Sequence, residues 1–420
     1  MTSWTSAFRK LTGGRFGRLL LPAIVLQSVL IGGGYATGRE IVAYGARFGP
    51  GGWIAVVTIF VGFTLISFLT FEVTRRFRTY EYKGFIQVLI GRAWPAFDLL
   101  YVVMSIVVIA VMASAAANIL HDTLGAPPLI GTAAVIVAAG VLTYHGSEVI
   151  EAFKSVGTLL LYVAYLTFSA LVLGARWDGV RAALSGTTVP AATGVTASSA
   201  GASVLVVLGT GIVYVGYNLG VYPAVLFTLH RQTERRDAVV SALISGFLMT
   251  LPFALTWLCL MAFYPSPAVF DAPVPWLPML RSVGGAALLG LFGIVMGWTL
   301  LETSVGMIHA ILDRIDADLE RIDAGPLAAV DGLSPLASGL LGGGILFLAA
   351  LLSRVGIIAL VERGYTVMGY CFIALFAVPL LTVGAWKALV RGGGAGAAAG
   401  AARGAAPRAG EPPPDEVEPF

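Results

Sequence analysis

Along this chain long apolar runs alternate with short polar connections. We count ten such runs, approximately Leu19–Tyr44, Gly51–Phe71, Phe97–Leu120, Leu129–Tyr144, Val149–Leu173, Ala202–Leu229, Ala238–Phe263, Gly285–Leu312, Leu336–Leu352 and Tyr365–Val390. A bilayer core takes about 20 apolar residues per helix, so the pattern predicts an all-α polytopic membrane protein with about ten transmembrane helices. The fourth and ninth runs are short by that measure. A β-barrel would read as short alternating segments, which are absent. Beyond Arg391 the chain is Gly, Ala and Pro without hydrophobic periodicity, predicting a disordered tail over 391–420.

Two of the runs are interrupted. Residues 31–40 read IGGGYATGRE, placing Gly32, Gly33 and Gly34 in the middle of the first span. Glycine loses the most backbone freedom on ordering, so three in succession predict local unwinding. Unwound backbone at membrane depth survives only where protein or a watery cavity surrounds it. The sixth span repeats the oddity: residues 209–223 read GTGIVYVGYNLGVYP, with four glycines and Pro223. Ten spans thus divide into five plus five, each half opening with a broken helix. Five is odd, so the second half is inverted relative to the first, the pattern of an inverted-repeat transporter with a midplane site. The expected organisation is an N-terminal segment 1–18, a first repeat 19–174, an outer loop 175–201, a second repeat 202–390 and the tail.

Composition and charge agree with that class. Charged residues make up 12% of the 420, about half the share in soluble proteins, and mean hydropathy is +0.87. With the N-terminus inside, about 19 of the 26 Lys and Arg fall on the cytoplasmic side, which places both termini in the cytoplasm. The basic start followed by an apolar run lacks a cleavage pattern and is not read as a signal peptide. Cys259 and Cys371 both lie in apolar runs, and the four histidines have no metal-ligand spacing. No nucleophile, nucleotide or metal motif stands out, which argues against an enzyme. No cofactor and no nucleic-acid partner is expected.

The breaks suggest chemistry. The half-helix starting near Gly34 would aim free N–H groups at the centre, suiting a carboxylate. The sixth span runs the other way and would present carbonyls near Val215–Gly216, suiting an ammonium group or a cation. A small amino-acid-like or amine solute satisfies both ends. Tyr35, Tyr217 and Asn218 flank the breaks and are candidate solute contacts, with core packing as the alternative for the rings. In the eighth span Glu302 is the deepest ionisable group, either a proton-coupling carboxylate or a buried partner. Thr303 and Ser304 offer oxygens for Na⁺ or bond back to carbonyls of their own helix, the reading favoured for Thr299. Arg39 and Glu40 form an outer gate or cap a helix at the interface. Ser114 and Asn118, in MASAAAN, read as close packing first and pore lining second, and Glu148, Glu151 and Lys154 as an interfacial cluster.

GGGYATGREI, VGYNLGVYPAVL and ETSVGMIHAILDRI together resemble the YkvI family of bacterial membrane proteins. That family is similar to the amino acid–polyamine–organocation transporters and their LeuT-like fold of five-plus-five inverted repeats. The resemblance spans roughly residues 15–390. It implies that Gly32–Gly34 and Val215–Asn218 are the unwound binding stretches. It also implies that Thr303 and Ser304, with carbonyls here at Ser28 and Ile31, hold Na⁺ in sodium-coupled relatives. Glu302 beside that pair leaves H⁺ coupling open. The expected function is secondary transport of a small solute across the bacterial cytoplasmic membrane by alternating access, driven by Na⁺ or H⁺. A ligand sensor that has lost transport is the alternative.

Overall fold

The computed structural model describes residues 14–31, 37–144, 147–186, 203–322 and 335–389. Their regular structure is all helical, with no strand among them. A helix lies on each of the ten predicted apolar runs. Among the described residues, six helices are long and apolar enough to cross a membrane by themselves. Those on the first, fourth and ninth runs are shorter.

After a turn at Arg15–Leu19, α1 spans Leu21–Leu30, opened by Pro22 where a missing N–H does no harm. It stops where the glycine run begins: Ile31 has φ −73° and ψ 70°, outside helical space. Gly32, Gly33, Gly34 and Tyr35 lie outside the described residues. Helix α2 spans Arg39–Tyr44, just after Gly38 at φ 77°, a left-handed backbone that side-chain-bearing residues rarely adopt. A Cβ at Gly38 would also stand 3.1 Å from the Trp276 ring. All six residues of α2 are buried.

A 3₁₀ turn at Ala46–Gly52 then leads into α3, Trp53–Phe77. On α3 the positions Trp53, Val57, Val61 and Leu65 are exposed while Ala55, Ile59, Phe63 and Ile66 are buried. A helix apolar on both its exposed and its buried face is what a lipid surround permits. The short α4 (Tyr82–Ile90) connects to α5 (Trp94–Leu124), which Gly125 ends in the left-handed region. Helices α6 (Pro128–Tyr144) and α7 (Ser147–Leu184) follow. Gly131 of α6 sits against Ala116 and Ala117, so the alanine-rich stretch of α5 serves close packing as expected.

The sixth run differs from expectation. Instead of two half-helices with a gap at Val215–Asn218, α8 is helical over Val204–Tyr217 and continues without interruption as a 3₁₀ helix, Asn218–Arg231. Neither the glycines nor Pro223 breaks it. A 3₁₀ helix bonds to the third residue back and accommodates Pro223 with the loss of one donor. Next come α9 (Arg235–Met261), opened by a reciprocal Glu234–Asp237 capping box, and α10 (Trp276–Ile322), bent at Gly285 with φ 64°. Last are α11 (Pro335–Ser353) and α12, residues 357–389, which contains three π-helical turns. The last helix begins at Ile357 rather than at Tyr365, bringing Glu362 into it.

One apolar core runs through nearly all of these helices. Its tightest approaches use glycine: Gly62 of α3 faces Val215, and Gly216 of α8 faces the carbonyl of Gly369 on α12 at 2.9 Å from where a Cβ would stand.

Candidate functional site

Where α1 stops and α2 starts, α5, α8, α10 and α12 close around a cavity of about 80 Å³. Its wall is Val29 and Leu30 from α1, Glu40 from α2, and Tyr101, Met104, Ser105, Val108 and Met112 from α5. Helix α8 adds Tyr217, Asn218, Gly220 and Val221, α10 adds Thr303 and Met307, and α12 adds Tyr365. The α-to-3₁₀ transition at Asn218 therefore falls on the cavity wall.

Of the sequence candidates, Tyr217, Asn218, Thr303 and Glu40 meet here. Asn218 donates an amide hydrogen to the Tyr214 carbonyl at 2.8 Å. Tyr217 donates its phenol to Glu40 Oε2 at 2.5 Å. Glu40 is therefore part of the cavity wall, although the sequence grouped it with Arg39. Ser28 and Ser304 do not line the cavity; their hydroxyls donate to Val25 and Leu300 carbonyls at 2.9 and 2.8 Å. Thr299 does the same with Val295 at 2.9 Å. Ile31 is buried beside the α1 terminus, and Glu302 is half-buried on α10 next to Thr303 without lining the cavity. The side chains of Glu148, Glu151 and Lys154 lie outside the described residues.

Arg39 points away from the cavity. Its guanidinium donates to the Phe270 carbonyl at 2.6 Å and pairs with Glu362 of α12. The Arg39 side chain is 5% exposed, that of Glu362 36%. This tie lies toward the end of the bundle expected to face outward. A larger cavity of about 650 Å³ opens there, lined in part by Tyr44, Arg47, Thr210, Glu362 and Thr366. Between the two cavities stands a layer of rings. Tyr217 lies 5.5 Å from Tyr44, 5.2 Å from Tyr214 and 4.9 Å from Tyr365 between centroids. Tyr44 is anchored by bonds to the Val361 carbonyl (3.2 Å) and Thr366 Oγ1 (3.0 Å).

At the opposite end Tyr101 borders the central cavity. The Arg314 guanidinium lies 3.5 Å over its ring and 4.5 Å over Tyr82, and pairs with Asp98 at 3.2 Å. Such stacking joins a cation to an aromatic face electrostatically. The central cavity is thus bounded by an ion-paired, aromatic layer on each side.

Sequence reasoning missed Tyr44, Tyr101, Tyr214, Tyr365, Glu362 and Arg314. Only Glu362 left a signal: an acidic residue beside the last apolar run, at the depth where a buried Arg39 needs a counter-charge.

The arrangement is that of an all-helical membrane protein among the described residues. It is similar to a substrate-bound, outward-open Na⁺-coupled sialic acid symporter, with TM-score 0.50 and 12% identity, over 88% of this chain and 86% of that one. MhsT in complex with L-phenylalanine also matches, with TM-score 0.47 and 16% identity, over 88% and 87%. No protein-family model matches the sequence. Among known proteins it is similar to YkvI of Bacillus subtilis (strain 168), an uncharacterized membrane protein, at 22% identity over 375 residues, 85% of this chain and 94% of that protein.

Proposed function

We propose that this protein is a secondary transporter, not an enzyme, moving a small amino-acid-like or amine solute across the cytoplasmic membrane by alternating access. The observation that carries the reading is the central cavity at the α1–α2 interruption, with a separate ion-paired and aromatic layer on each side. A passive pore needs no such pair of barriers, and a carrier needs both.

In this reading the ten helices form two five-helix inverted repeats, 19–174 and 202–390, with both termini cytoplasmic. The Arg39–Glu362 tie and the tyrosine layer are the outer barrier; Arg314 over Tyr101 is the inner one. Opening one while the other holds exposes the solute to each side in turn. The coupling ion is Na⁺ or H⁺. The hydroxyls of Thr303 and Ser304 with the carbonyls of Ser28 and Ile31 are hard oxygen donors suited to Na⁺, and Glu302 is the acidic group suited to H⁺. Gly32–Gly34 and Tyr35 complete the solute site with Tyr217 and Asn218.

The test is uptake of a broad amino-acid and amine panel into proteoliposomes, with an inward Na⁺ gradient, with a pH gradient, and with neither. Gradient-dependent accumulation of at least one solute is expected. Binding with no accumulation under any gradient refutes transport and selects the ligand-sensor reading.

A further inference from the structure

Resting on the transport reading above, we infer that the solute of the central cavity is a small amine cation without a carboxylate, and that Glu40 holds it. Among the described residues that line the cavity, Glu40 is the one formally charged group; Lys, Arg and His are missing from the wall. Glu40 is 4% exposed, and its carboxylate accepts a hydrogen bond from the neutral phenol of Tyr217. A buried carboxylate is costly unless a cation or several donors compensate it. The nearest basic residue in sequence, Arg39, is committed to Glu362 and the Phe270 carbonyl. Arg314, beyond Tyr101, is committed to Asp98. The cavity is the route by which a compensating cation reaches Glu40.

The remaining wall agrees. Tyr101, Tyr217 and Tyr365 line the cavity, and aromatic rings attract cations, while Met104, Met112 and Met307 suit the carbon part of a ligand. A second anion in the cavity would meet the like charge of Glu40 on its wall. With about 80 Å³ in this closed form, against the roughly 150 Å³ that takes benzene, the cavity accepts a ligand of only a few heavy atoms.

Thermal stabilisation of the purified full-length protein is measured with methylammonium, ethylammonium and propylammonium, with glycine and alanine, with acetate and propionate, and with Na⁺ alone. The three amines are expected to stabilise it, and the zwitterions and anions are not. Glu40→Gln is expected to weaken amine binding by roughly ten- to a hundred-fold, the worth of a charge-assisted bond. Glu40→Asp retains the rank order. If glycine or alanine binds as well as the amines, if Na⁺ alone accounts for the effect, or if nothing in the panel binds, the inference is overturned. The rank order on the unmutated protein decides this even where Glu40→Gln fails to fold. Amine binding without flux sinks the transport reading and leaves this one standing; amino-acid uptake without amine binding does the reverse.

Discussion

Replacing Glu362 with Gln should open the outer side of the protein. The Arg39–Glu362 pair joins α2 to α12; in the proposed transport cycle it belongs to the outer barrier and stabilises the closed form only. Removing one partner of a fully buried pair costs about 3–5 kcal/mol, while exposed pairs contribute about 0–1 kcal/mol. Here Arg39 is buried but Glu362 is about a third exposed, and Arg39 keeps its bond to the Phe270 carbonyl. A loss of about 1–2 kcal/mol follows, or a 5- to 30-fold shift toward the open form. The assay is the labelling rate of Val108→Cys, on the cavity wall, by an impermeant thiol reagent added outside cells. The background carries Cys259→Ala and Cys371→Ala. An increase of 5- to 30-fold is expected with Glu362→Gln, and adding Glu362→Gln to Arg39→Ala should change nothing further. An unchanged or slower rate would refute the idea that the pair holds the barrier.

Two further substitutions probe packing and the inner barrier. Gly131→Ala would put a Cβ 2.5 Å from Ala117 Cα and 3.1 Å from the Ala116 carbonyl, costing about 1–3 kcal/mol by overpacking. Gly290→Ala, with nothing within 4 Å, is the control, and equal melting midpoints in detergent would contradict the packing assignment. Arg314→Lys loses the planar stack over Tyr101 and Tyr82, worth about 1 kcal/mol. It should speed labelling of Val108→Cys in inside-out vesicles; no change would remove Arg314 from the inner barrier.

The sequence by itself determined the class and the element order. Apolar runs long enough for a bilayer leave the backbone one solution, the helix, since each helix satisfies its own N–H and C=O groups. The stop of α1 at Leu30 was legible for a related reason, because consecutive glycines carry a local conformational cost that no distant contact is needed to explain. The sixth span was misread because the same residues have a second use. Gly216 allows a backbone-to-backbone approach to α12, and a packed neighbour holds in helical form what propensity alone would unwind. Only the tertiary structure decided which polar groups meet. Glu40 and Arg39 are adjacent in sequence, yet successive helical positions point in different directions. One faces the central cavity and the other reaches Glu362, 323 residues away along the chain. The tyrosine layer belongs to the same category. Tyr44, Tyr214, Tyr217 and Tyr365 come from three helices, and nothing in the local pattern of any one of them encodes the others.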